Sequence, residues 1–246
     1  MTDLKGKTYW LVGASEGLGR ALAVALDALG ARTVLSARSG ARLDDLAETL
    51  SYCAGVVACD VTDTGAVDAA WAQIEQFGID GVIFIAGYYE PISAQDWDRE
   101  AVMRMADVNF MGGVRVLGHA VPHFANRNSG HIVVIGSLSG YRGLPGAIGY
   151  GASKSGLMHL TENIQIDLAK TDVKVQLVNP GYIKTRLTNK NDFAMPFLMS
   201  AEAAADRTVR AMHSNRFKTD FPWIFSLVFR VSRLLPNWVY LRLLGA

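Results

Sequence analysis

The sequence predicts an α/β fold: a Rossmann-like, doubly wound parallel sheet flanked by helices on both faces. Three observations carry that expectation. Short apolar runs alternate with helical patterns from one end of the chain to the other. The runs are apolar throughout, as strands covered on both faces require. The 246 residues, 50% hydrophobic and 19% charged, suit one α/β domain with a large buried core. No repeat or linker divides the chain, so residues 1–246 are read as one domain.

The elements follow in order. Thr8–Val12 is a compact apolar run, and Ala14–Leu29 after it has helical spacing. Thr33–Ala37 is the next strand, followed by a charged helix over Ala41–Ser51. Val56–Cys59 and Val82–Ile85 are further strands, separated by a helix near Ala66–Phe77. A long helix over Ala101–Asn126 leads to the strand His131–Ile135. Another helix over Tyr150–Ala169 leads to Val173–Val178.

Composition removes several function classes. With 24 Gly and 7 Pro in a half-apolar chain, collagen-like and low-complexity classes are excluded. Twenty-four basic residues against 23 acidic give +1, with no charge run of the kind that grips nucleic acid, so no nucleic-acid partner is expected. Cys53 and Cys59 cannot form a disulfide framework and lack the partners of a zinc site. They read as buried thiols of a reducing compartment, and no metal is expected. No signal peptide is apparent, and no run of about 20 apolar residues occurs. The expected location is cytoplasmic, with a reservation about surface contact with a membrane through the C-terminal segment.

Gly13-Ala14-Ser15-Glu16-Gly17-Leu18-Gly19 stands where the first strand meets the first helix. Glycines there allow a tight turn and let backbone amides approach a pyrophosphate at the helix N-terminus. The second strand ends in Ala37-Arg38-Ser39, with no carboxylate for a ribose 2′-hydroxyl and with an arginine suited to a 2′-phosphate. NADP(H) is therefore favoured over NAD(H), the competing reading of Arg38 being a solvated surface side chain.

Tyr150 and Lys154 are four apart and share one helix face. A nearby ammonium stabilises a phenolate, which makes tyrosine a usable acid or base near neutrality. Ser137 follows a strand, at the end where open α/β sheets bind ligands. A Tyr-x-x-x-Lys pair alone is common; Ser137 and the glycine loop give it meaning.

With these residues in place, the sequence resembles the short-chain dehydrogenase/reductase family in its compact form, from about Leu4 to Thr185. Gly13, Gly17 and Gly19 match its glycine loop, which brings Ser15, Glu16 and Leu18 among the expected cofactor residues. Asp60-Val61 resembles the pair that contacts adenine, and Ala86-Gly87 ends a turn that in the family reads Asn-Ala-Gly. Asn109, Ser137, Tyr150 and Lys154 match the catalytic tetrad. Pro180-Gly181 and Thr185 match the segment that closes on the nicotinamide carboxamide, to which Ile183 is added. Two departures stand out: Val12 and Ile85 replace the family's usual Thr and Asn, which tie neighbouring strands together beside the cofactor.

The resemblance implies hydride transfer between nicotinamide and a carbonyl or secondary alcohol. Tyr150 would move the proton, Lys154 would lower its pKa and hold the ribose hydroxyls, and Ser137 would bond the substrate oxygen. Asn109 would support Lys154 through a water-mediated relay. It also implies a homodimer or homotetramer built on the two long helices. The alternative is a non-catalytic dinucleotide sensor on the same fold.

Beyond Thr185 the resemblance fades. Residues 185–200, with Phe193, Phe197 and Leu198, read as a substrate lid, or else as a surface helix with an apolar face. The segment 221–246 is unusually apolar, with Ser226, Arg230 and Arg233 on a narrow polar stripe. Packing against the protein or a subunit partner is the expected use of its apolar surface; membrane contact and substrate contact are the alternatives.

Overall fold

The computed structural model describes residues 2–244. The chain runs β1 (Thr8–Val12), α1 (Gly17–Asp27), β2 (Arg32–Ser36), α2 (Gly40–Ala47), β3 (Cys53–Val56) and α3 (Thr64–Ile74). It continues with β4 (Gly81–Phe84), α4 (Arg99–Ala106), α5 (Gly112–Arg127), β5 (Gly130–Ile135), α6 (Ile148–Asp167) and β6 (Val173–Pro180). The last elements are α7 (Ala201–His213), β7 (Lys218–Phe221), α8 (Trp223–Ser232) and α9 (Asn237–Leu243). The strands form one seven-stranded sheet in the order β3-β2-β1-β4-β5-β6-β7, each neighbour parallel.

Strand periodicity feeds two separate cores. Trp10, Val12, Val82, Phe84, Ile132 and Val134 meet α3, α5 and α6 on one face. Their neighbours Tyr9, Leu11, Ile83, Val133 and Ile135 meet α1, α2 and α7 on the other. Each such large apolar side chain, fully buried, contributes about 1.5–3 kcal/mol. This is why β1 and β4 are apolar at nearly every position: each successive residue faces a different helical layer.

The chain leaves β1 in one direction for β2 and β3, then returns to the other side for β4. The crevice between the C-terminal ends of β1 and β4 is the switch point where open sheets of this order bind ligands.

Four expectations need adjustment. The third strand is Cys53–Val56, ahead of Val56–Cys59. The later residues still follow β2, since the Val57 and Cys59 amides donate to Leu35 O and Ala37 O at 2.9 and 3.0 Å. The long helix over Ala101–Asn126 is interrupted by a π-helical segment at Asp107–Met111. Strand β7 escapes the sequence reading because Lys218-Thr219-Asp220 is polar; pairing with β6 makes it a strand.

The tail departs most. Helices α8 and α9 bury only part of their apolar surface against the rest of the chain, Phe229 inward and the outer face left exposed. Ser226 and Ser232 face inward and are buried, whereas Trp223, Leu234 and Trp238 are 70%, 83% and 70% exposed. The supposed polar stripe is therefore split, with Ser226 inside and Arg230 and Arg233 outside. Each serine bonds a carbonyl of its own helix, so it enters the interior without an unmet hydroxyl.

Candidate active site

The glycine turn sits directly on the switch point. Gly13 follows β1 with φ +104, and its backbone lies against the turn after β4: a Cβ there would stand 2.6 Å from Ala86 N. Gly17, φ +54, opens α1 opposite Thr185, whose Cγ2 would lie 2.9 Å from an added Cβ. Glu16 at the N-cap makes no side-chain capping bond, so the first-turn amides of Gly17, Leu18 and Gly19 face the cleft without a side-chain acceptor. Free amides at a helix N-terminus, reached by a backbone that tolerates no side chain, fit a pyrophosphate.

The missing Thr and Asn are replaced by backbone bonds. The Ile85 and Ala86 amides both donate to Val12 O at 2.9 Å, holding the two turns together without polar side chains at either position.

One cleft of ≈ 940 Å³ runs from this turn to α6. Its walls include Gly13, Ser15, Glu16, Gly17, Leu18, Gly19, Arg38, Asp60, Val61, Ala86 and Gly87. They continue with Ser137, Tyr150, Lys154, Pro180, Gly181, Ile183 and Thr185. Asn109 does not line it. This side chain is buried in the π-helical segment, where Oδ1 accepts from the Tyr88 amide and Nδ2 donates to Tyr88 O and Ser153 Oγ.

Ser137 follows β5, and its Oγ bonds Ser139 Oγ at 2.8 Å and Tyr150. Tyr150 lies in the first turn of α6, its ring edge-to-face with Tyr89 at 5.1 Å. Burial raises the Tyr150 phenol above its ordinary value, and the Ser137 bond opposes the rise. Lys154, one turn on, donates to Ile135 O at 2.8 Å, and burial pushes its ammonium down to about 8. The expected lowering of the Tyr150 pKa by Lys154 is not what this arrangement displays: desolvation dominates, and the ammonium bonds a main-chain oxygen.

Sequence reasoning missed several supporting groups. Arg42 and Arg186 both bond Glu16, at 3.3 and 2.7 Å, and line the same end of the cleft as Arg38. Thr188 shapes the Ile183–Thr185 turn: its hydroxyl donates to Ile183 O and accepts from the Thr185 amide. At the far end stands an aromatic wall in which Tyr182 lies 5.7 Å and Phe229 5.0 Å from Phe225, with the exposed Phe197 packed on Phe225 from outside the lining at 5.7 Å. Phe225 and Phe229 come from α8, so the tail also lines the cleft, through its inner face. The segment 185–200 is held at its ends, by Thr188 and by backbone bonds of Met199 to Tyr182 and Lys184.

A family model described as short chain dehydrogenase matches residues 7–195. The chain belongs to the short-chain dehydrogenase/reductase family. Among the relatives of this dehydrogenase/reductase is an uncharacterized oxidoreductase of Myxococcus xanthus. It is 33% identical over 243 residues, covering 96% of each chain. An uncharacterized oxidoreductase of Staphylococcus epidermidis is 35% identical over 214 residues, covering 86% of this chain and 93% of its own. A short chain dehydrogenase of Burkholderia cenocepacia, solved in complex with NADP, superposes over 100% of both chains with TM-score 0.87 and 22% identity. At that identity the two share the fold. The chain is thus an oxidoreductase of this family.

Proposed function

We propose that this short-chain dehydrogenase/reductase is an NADP(H)-dependent carbonyl reductase acting on an apolar small molecule. The observation that carries the reading is the single cleft that joins the glycine turn to Ser137, Tyr150 and Lys154. A nicotinamide dinucleotide bound there would supply hydride to a carbonyl carbon, or take it from an alcohol in reverse.

The chain's own residues do the rest. The α1 amides would take the pyrophosphate, with Asp60 and Val61 at the adenine end and Ala86, Gly87, Pro180, Gly181, Ile183 and Thr185 toward the nicotinamide. Ser137 would donate to the substrate oxygen, and Tyr150 would pass its proton to that oxygen as charge develops. A phenol that burial keeps protonated suits reduction, where the group must give a proton. Lys154, one turn from Tyr150 and cationic below about 8, would favour the phenolate left behind on turning from Ile135 O toward it. Asn109 positions rather than reacts: it ties the Tyr88 backbone to Ser153, in the turn of α6 that carries Tyr150 and Lys154.

Arg38 supports NADP(H) over NAD(H). Its neighbour Arg42 adds a second guanidinium, and the Glu16 carboxylate, which would repel a 2′-phosphate, is paired with Arg42 and Arg186. The structure of a Sphingobium yanoikuyae short-chain dehydrogenase in complex with NADPH, 24% identical with TM-score 0.82, is consistent with such a cofactor on this fold. The aromatic wall of Tyr182, Phe193, Phe225 and Phe229 supports an apolar substrate. A homo-oligomer through α5 and α6 fits the exposure of Met111, just before α5, and of Ile166 on α6.

The test is NADPH and NADH consumption across a panel of apolar aldehydes and ketones. Turnover preferring NADPH supports the reading. Tight cofactor binding with no turnover on any member would favour a sensor instead.

A further inference from the structure

We propose that the C-terminal helix pair α8–α9 is a docking surface for an anionic lipid bilayer, on which it lies flat beside the mouth of the cleft. Helix α8 is apolar outside as well as inside, where Phe229 is buried and Phe225 lines the cleft. Its inner positions hold the buried Ser226 and Ser232, whose hydroxyls donate to Trp223 O and Phe229 O at 2.8 Å. Its outer positions hold Trp223, Ile224, Leu227 and Val228, all exposed, and Trp238 and Leu241 of α9 are exposed as well. A contiguous apolar surface of this kind marks a contact with something.

Charge identifies the occupant. Residues 221–244 contain Arg230, Arg233 and Arg242 and no Asp or Glu, and all three arginines are exposed. Exposed tryptophans beside arginines suit a lipid interface, with the rings at the acyl boundary and the guanidinium groups among anionic headgroups. A second copy fits less well. A two-fold interface would lay this arginine-bearing face on itself, with no carboxylate in the segment to pair with.

The helices are long enough to lie on a bilayer and too short to cross one. Helix α8 has 10 residues, about 15 Å at the usual rise, against a hydrocarbon core of roughly 30 Å. Among the described residues, no helix is long and apolar enough to cross a membrane. The pair is also fixed to the body. Arg142 donates to Leu235 O and Asn237 Oδ1, and its guanidinium stands 3.9 Å from the centre of the Tyr240 ring. Since Phe225 and Phe229 line the cleft from the inner face of α8, docking would bring the mouth to the lipid, where an apolar substrate is concentrated. That last consequence rests on the proposed reaction; the docking does not.

The test uses the full chain and vesicles, with no activity readout. The protein should cosediment with vesicles of phosphatidylcholine mixed with phosphatidylglycerol, far less with phosphatidylcholine alone, and less at high salt. The surface triple variant Ile224→Gln, Leu227→Gln, Val228→Gln should keep its circular dichroism and melting temperature and lose roughly tenfold or more in vesicle binding. Replacing Arg230 and Arg242 by Gln should weaken binding and flatten its salt dependence. Absence of binding to the anionic vesicles would overturn the proposal, as would equal binding by the triple variant. A wild-type oligomer that ignores vesicles and is taken apart by the triple variant would overturn it in favour of a second copy.

Discussion

At Tyr150 two influences oppose each other: burial raises the phenol and the Ser137 hydrogen bond lowers it. Tyr150→Phe removes the transferable proton and keeps the ring that meets Tyr89. NADPH binding should survive while turnover falls by about a hundredfold or more, the scale of general acid catalysis; titration and steady-state assay on one substrate check both. At Lys154, burial lowers the pKa from 10.5 to about 8. The unfolded chain therefore holds that proton more tightly, so Lys154 penalises the fold most below about 8, and stability rises as pH passes from there toward 10.5. Denaturant unfolding of wild type and Lys154→Met across that window should show the difference shifting toward wild type as pH increases; a flat difference contradicts the buried ammonium. At Arg38, replacement by Ala should weaken NADPH binding by about 1.5 kcal/mol or more, roughly tenfold, and leave NADH nearly unchanged. Equal losses for both cofactors would place Arg38 outside the 2′-phosphate site.

Among the elements, β5, β6 and the loop before β7 are joined by a buried polar chain. The Tyr9 hydroxyl donates to His131 Nδ1, and His131 Nε2 donates to Gln176 Oε1. Gln176 Nε2 reaches Ala211 O, Ser214 O and Arg216 O. Burial holds His131 neutral, its pKa down at about 3, which agrees with these donor roles. Gln176→Leu keeps the volume and leaves acceptors unmet, so it should cost about 1–3 kcal/mol. Calorimetry should record a fall of roughly 2–4 °C in Tm per kcal/mol lost. None of this was legible in the sequence, because His131 and Gln176 sit in mainly apolar runs and their partners lie 35 residues and more away. The central strands were legible because both faces of β1, β4 and β5 are covered and nearly every residue is apolar, Thr8 and His131 excepted. Strand β7 was not, since its identity comes from pairing with β6. The π-helical turn at Asp107–Met111 leaves no mark in periodicity, yet it surrounds Asn109. The polar stripe read on α8 is divided for a related reason: Ser226 turns inward beside Phe229, bonding its own helix, while Arg230 and Arg233 stay exposed.

On the scale of the whole molecule, the sheet order brings together residues far apart in the chain. The turn after β1 meets the turn after β4, and the ends of β5 and β6 complete the cleft over α6. The glycine loop, Ser137, Tyr150 and Lys154 were legible because their residue types and spacings resemble one family closely. The arginines around Glu16 and the aromatic wall were not, because they are assembled from separate segments. The central claim is that this assembled cleft carries hydride to a carbonyl carbon while Tyr150 supplies the proton. The most direct measurement follows deuterium from each of the two C4-deuterated epimers of NADPH into the product of an apolar ketone. Wild-type protein should place the label from one epimer on the carbinol carbon, and Tyr150→Phe should give almost none. Label transfer by Tyr150→Phe at the wild-type rate, or NADPH binding without labelled alcohol from any carbonyl tested, would contradict the account.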